Sequence, residues 1–147
     1  MKALIQRVKR ANVTVDNNII AVIGDGIVVF LCVVKGDSSK DIDYLVKKVS
    51  NLRIFEDNAG KMNLSVKDKG FAALIVSQFT LASDCRKGNR PSFDEACTPE
   101  VAAEYYRLFI DGIKREGIET KTGIFAANMQ VELVNDGPVT FMIDSHF

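Results

Sequence analysis

Ser77-Gln78-Phe79-Thr80-Leu81 sets two hydroxyls and a carboxamide at the point where an apolar strand runs out, a common place for a site to be built. Hydrolytic chemistry ordinarily needs an activated nucleophile or a positioned base, and the chain offers few candidates. Its one histidine, His146, is the penultimate residue, so a Ser-His-Asp or Cys-His arrangement would be assembled from a mobile chain end. Cys32, Cys85 and Cys97 stand at unrelated spacings with no histidine beside them to lower a thiol pKa, and they read as inert. No Cys-x-x-Cys or His-x-x-x-His occurs, so no metal or cofactor is expected. Gly24-Asp25-Gly26 lacks the Lys-Ser/Thr of a phosphate loop and reads as a hairpin turn. Two features remain, each with an ordinary alternative. The hydroxyl run can be a strand terminus that bonds its own backbone, and Gly137-Pro138 can be a trans turn, since only about 5% of such bonds in folded proteins are cis. Arg86-Lys87-Gly88-Asn89-Arg90 could meet phosphates or be a solvated turn.

These groups must be held by the rest of the chain. Its 147 residues, 47% hydrophobic, suit one domain (residues 1–147) with a sizeable core. Lysine plus arginine number 19, as do aspartate plus glutamate, so no whole-molecule field draws the protein to nucleic acid or an anionic membrane. Any nucleic-acid contact must be local. The odd cysteine count and an N-terminus without a signal-length apolar run point to a reducing, cytoplasmic setting. The longest apolar run, Ile27 to Val34, is too short to span a bilayer and reads as a buried strand.

Periodicity supplies the elements. Val13 to Ile23, broken at Asp16-Asn17-Asn18, and the run after Gly24-Asp25-Gly26 predict successive hairpins, with the glycines free to take positive φ. Ser38 or Ser39 can cap a helix whose apolar face is Ile42, Leu45, Val46, Val49 and Leu52. Asp57 to Gly60 is a turn, and Phe71 to Ser77 a strand. Thr98 as N-cap and Pro99 at the first position open a second helix carrying Tyr105, Leu108, Phe109 and Ile113, stopped by Gly117. Val131 and Leu133 lie in a strand that breaks at Asn135-Asp136-Gly137-Pro138 before another runs from Val139 to Ile143. The pattern predicts an α+β fold, a mostly antiparallel, barrel-like sheet with two main helices.

Gln6-Arg7-Val8, Ser77-Gln78-Phe79-Thr80-Leu81, Asn89-Arg90-Pro91-Ser92-Phe93 and Asn135-Asp136-Gly137-Pro138-Val139-Thr140, in this order, make the chain resemble the D-aminoacyl-tRNA deacylase family from end to end. It departs at Phe125-Ala126-Ala127-Asn128-Met129, where the family has a glycine after the phenylalanine and often an acidic residue before the methionine. The resemblance implies a cytoplasmic homodimer that hydrolyses D-aminoacyl-tRNA and glycyl-tRNA. In it Gly137-Pro138 is cis and reaches into the partner subunit's site, where two carbonyls hold the substrate ammonium and main chain rejects an L side chain. Arg7 braces that motif. Ser77 and Gln78 position the terminal adenosine, Phe125 and Met129 line its pocket, and amides around Phe79 and Thr80 hold the oxyanion. The substrate's ribose 2′-hydroxyl then assists. A Thr80 hydroxyl nucleophile is the alternative, one that no neighbouring base supports. Two other classes stay open: a non-catalytic nucleic-acid binding module, and an editing module for L-seryl-tRNA, against which Gly137-Pro138 argues.

Overall fold

Asp16 and Asn17 reverse the chain within two residues, both at positive φ (48° and 62°), as a tight hairpin requires. The computed structural model describes residues 1–146. In chain order the elements are β1 (Lys2–Val15), β2 (Asn18–Ile23), β3 (Gly26–Cys32), α1 (Ser39–Ser50), β4 (Phe55–Glu56), β5 (Met62–Leu64), α2 (Val66–Lys69), β6 (Ala72–Ser77), a 3-10 turn (Phe79–Ala82), α3 (Pro99–Arg115), β7 (Thr120–Thr122) and β8 (Gln130–Asp144).

β1 organises the sheet because both its edges are used along most of its length. β8 runs antiparallel along one edge. Along the other, β2 faces Ala11 to Val15 and β3 faces Lys2 to Val8, also antiparallel. β2 and β3 therefore run end to end in one direction, and Gly24-Asp25 is a bend between them. That corrects the hairpin expected at Gly24-Asp25-Gly26. Neither glycine takes a positive φ. Gly26 is needed for close approach instead, since a Cβ there would lie 2.1 Å from the Ala72 carbonyl oxygen.

A second correction concerns the expected break at Asn135 to Pro138. β8 is one strand throughout, but its register slips: Thr140 faces Gln6 and Asn135 faces Val8. Asp136, Gly137, Pro138 and Val139 thus bulge out opposite the single residue Arg7. The remainder of the sheet is parallel, β3 to β6 and β6 to β7. The fold is the expected α+β one, with antiparallel ladders in the majority, a curled, barrel-like sheet, two main helices and the short α2.

Strand alternation divides the core. Ile27, Val29, Leu31, Ala73 and Ile75 face the helices, while Val28, Leu74 and Val76 join Val8, Ala11 and Val13 inside the curl. α1 begins at Ser38, whose N–H donates to the Asp41 carboxylate at 2.8 Å, and it buries Ile42, Leu45, Val46 and Val49. Leu52 lies beyond its end and still packs on the core. α3 buries Tyr106, Phe109, Ile110 and Ile113, so Tyr106 rather than Tyr105 is the inward tyrosine. Thr98 occupies the N-cap position without a side-chain capping bond. The helices touch at Gly112, where a Cβ would meet Val46 Cγ2 at 2.6 Å. Burying side chains such as Leu45, Phe109 and Ile113 contributes roughly 1.5–3 kcal/mol each.

Candidate active site

β3 and β6 end together, Leu31 opposite Ser77, and the Gln78 N–H extends the ladder by donating to the Leu31 carbonyl at 2.8 Å. The chain then tightens into the 3-10 turn. Leu81 N–H returns to the Gln78 carbonyl at 3.3 Å and Ser83 N–H to that of Thr80 at 3.0 Å. Phe79 and Thr80 fill the first two positions of the turn, where an N–H has no acceptor behind it. Their amides have no protein acceptor among the described residues. The Cys32 thiol lies within weak hydrogen-bond reach of both the Phe79 carbonyl (3.6 Å) and the Val33 carbonyl (3.7 Å). Burial pushes that thiol up to about 11, so it stays protonated and unreactive.

Beside these amides opens a cavity of about 530 Å³. Its wall combines the ends of β3 and β6, Ser77, Gln78 and Phe79, the start of α3, and the segment Phe125 to Met129. Tyr106 closes the inner end, its hydroxyl donating to the Ile75 carbonyl at 2.8 Å, and burial holds the phenol well above its ordinary pKa. Met129 lies where Gly123 leaves room, since a Cβ at 123 would approach its Sδ to 2.5 Å. Ala126 holds φ +60°, a left-handed conformation that costs an L residue roughly 1–2 kcal/mol.

Ser77, Gln78, Phe79, Phe125 and Met129, separated in sequence, therefore line one cavity. Thr80 is exposed beside it, and its Oγ1 accepts from Gln78 Nε2 at 2.5 Å, a neutral amide donor and no base. The sequence does not assign Tyr106, Ala96 or Ala102 to the site, and it offers Cys97 only as an inert thiol and Pro99 only as a helix start, yet all five line the cavity. For Tyr106 the signal was present, because Tyr106, Phe109, Ile110 and Ile113 follow the i, i+3, i+4, i+7 pattern.

Arg7, Gly137 and Pro138 lie elsewhere. Arg7 faces Ile27, five residues before Cys32 along β3, which places it about 17 Å from the cavity end of that strand. The Gly137-Pro138 bond is cis, and both residues are exposed. Arg7 itself is buried, its Nε donating to the Asp136 carbonyl at 2.9 Å and its Nη1 to the Ile54 carbonyl at 2.6 Å. Val139 N–H donates to Asn135 Oδ1 at 2.8 Å, and the Val139 side chain is buried. The bulge is thus anchored at both ends with Gly137 and Pro138 at its crest.

His146 is tied down rather than loose. Its Nε2 lies 2.7 Å from Asp37 Oδ1, and Asp37 also accepts from the Met1 ammonium and from Val34 N–H. Burial works against ionisation of the adjacent Asp41, but hydrogen bonds from Ser145 and from the Ser38 side chain and N–H outweigh it and hold the carboxyl at about 2. Asp37, Asp41 and His146 are close enough to share a cation, yet both carboxylates are already taken up by these internal donors. None of the three lines the cavity.

The chain is thus a curled α+β sheet with two main-chain amides that lack protein acceptors among the described residues, set beside a largely apolar cavity. The chain belongs to the D-Tyr-tRNA(Tyr) deacylase family, whose pattern matches residues 4–144. It is 55% identical over 145 residues to a D-aminoacyl-tRNA deacylase of Thermodesulfovibrio yellowstonii, 99% of each chain being covered. Among solved structures it is similar to the c-Myc DNA Unwinding Element Binding Protein, with a TM-score of 0.92, 44% identity and 98% of both chains covered. A "probable eukaryotic D-amino acid tRNA deacylase" shares the fold, with a TM-score of 0.84 at 16% identity and 97% of both chains covered.

Proposed function

We propose that this protein is a cytoplasmic, homodimeric D-aminoacyl-tRNA deacylase, a single-domain ester hydrolase that releases a D-amino acid from the 3′ end of tRNA. The observation that carries the reading is the pair of free amides at Phe79 and Thr80 beside a cavity sized for a nucleoside. The terminal adenosine lies against Phe125 and Met129, with Ser77 and Gln78 on its other side. The ester carbonyl then sits at the turn, where the two amides stabilise the charge that develops on its oxygen as water adds. Thr80 Oγ is secondary because its hydrogen-bond partner cannot take a proton. The substrate's 2′-hydroxyl is left to assist proton transfer.

Chirality is read by a second copy of the chain. Gly137 and Pro138 are exposed, about 13 Å along β3 from the Leu31 edge of their own cavity, and held by Arg7, a geometry suited to entering a neighbour's site. Their carbonyls accept from the substrate ammonium, and an L side chain meets main chain. Glycine, with nothing to exclude, is accepted. Hydrolysis of D-tyrosyl-tRNA and L-tyrosyl-tRNA by the purified protein, with a chelator and a no-enzyme control, tests this. Cleavage of the D ester alone is expected; cleavage of neither, with DNA binding detected in a separate titration, favours the binding role that the name of the 44%-identical neighbour suggests.

A further inference from the structure

The cavity at the end of β3 and β6 has room for one nucleoside, so a substrate attached through its 3′ end must lead its preceding nucleotides out past the mouth. Phe79 and Phe93 stand there as an edge-to-face pair, ring centroids 5.0 Å apart at 63°, and they are 58% and 36% exposed. A turn closed by Ala96 N–H on the Phe93 carbonyl (2.9 Å) leads from Phe93 straight into the cavity wall at Ala96 and Cys97, and Cys97 N–H is pinned to the Val33 carbonyl at 3.1 Å. On the other side of Phe93, reciprocal bonds between Asp84 and Ser92 (2.8 and 2.9 Å) close the loop of residues 85–91. That loop carries Arg86, Lys87 and Arg90 and no acidic residue. Asp84 already neutralises Arg86, whereas Lys87 and Arg90 are exposed and have no carboxylate partner among the described residues.

We propose that Phe93 and the apex of this loop form the track along which the single-stranded 3′ end of the RNA approaches the cavity. The base preceding the terminal adenosine stacks on Phe93, and the backbone phosphates run past Lys87 and Arg90. An aromatic face beside exposed cations is the arrangement that binds single-stranded nucleic acid without reading its sequence. It also gives a protein of net charge zero a local way to hold a polyanion. The inference rests on the deacylase reading, whose site supplies the adenosine position.

The test compares kcat/KM on D-tyrosyl-tRNA with kcat/KM on 3′-O-(D-tyrosyl)adenosine, which has nothing to lay along the track. Phe93→Leu should lower the tRNA-to-adenosine ratio by about tenfold, the scale of one lost base–aromatic stack, and Phe93→Tyr should restore it. Lys87→Gln with Arg90→Gln should flatten the dependence of log kcat/KM for tRNA on log salt by about 1.4, two phosphate contacts on a single strand. A ratio unmoved in both variants, or an equal loss on both substrates, overturns the track. Fluorescence anisotropy with a labelled single-stranded RNA ending in CCA separates this from the deacylase reading. Tighter binding by the wild type than by Phe93→Leu supports the track even if neither ester is cleaved, and equal binding overturns it.

Discussion

Replacing Arg7 by lysine keeps the charge and removes the fork. The guanidinium bridges two carbonyls, Asp136 through Nε and Ile54 through Nη1, and an ammonium can reach one of them at most. The Ile54 carbonyl is the costly one to abandon, because that hydrogen bond is buried and an unmet acceptor costs about 1–3 kcal/mol. The Asp136 carbonyl is only part-buried, so water can replace the lost donor. Arg7→Lys should therefore destabilise the fold by about 2 kcal/mol. With a urea dependence near 2 kcal/mol per M, the unfolding midpoint falls by about 1 M, measured at one protein concentration because association adds to stability. The Asp136 to Val139 bulge also loses a tether, and the preference for D-tyrosyl-tRNA over L-tyrosyl-tRNA should fall at least about tenfold, or 1.4 kcal/mol. A midpoint within about 0.2 M of wild type together with an unaltered preference would refute the bracing argument. A lowered midpoint with the preference intact would leave Arg7 as a stabilising residue alone.

Thr80→Val should keep the turn and lower kcat on D-tyrosyl-tRNA by less than about threefold, since the hydroxyl is not the working group; loss of turnover together with a trapped acyl-enzyme would restore it as nucleophile. Ala126→Gly should raise stability by about 0.5–1 kcal/mol by removing a left-handed alanine, visible as a higher Tm, with hydrolysis retained. Because the Asp41 pKa lies near 2 in the folded chain and near 4 unfolded, its contribution is complete above about pH 4 and is lost as pH falls toward 2. Acid titration of urea stability should show that loss, and Asp41→Asn should flatten it.

The two long helices were legible because each combines a cap signal with apolar residues at the helical period. α2 and the 3-10 turn were not, since four residues give no periodicity, although Ser65 with Asp68 is a capping box that marks the first of them. The bend at Gly24-Asp25 and the bulge at Asp136 to Val139 look in sequence like turns, and only pairing with the distant β1 distinguishes them. The same reason hid the parallel pairing of β3, β6 and β7. Of the candidate site, the hydroxyl run could be named from its motif and Phe125 and Met129 only through the family resemblance, but their meeting in one cavity depends on the register of Leu31 with Ser77. Backbone amides without acceptors carry no side-chain signature at all.

Codons specify side chains, and the two amides at the cavity mouth are not side chains. Single-codon changes at Phe79 or Thr80 leave the N–H in place unless the new residue is proline, the one residue without that proton. Point mutation can reshape the wall contributed by Phe125 and Met129, yet it has almost no route to deleting the donors themselves. An inhibitor anchored on those two amides would therefore face resistance chiefly through insertions, deletions or proline, whereas one anchored on the apolar wall would be open to escape by ordinary substitution.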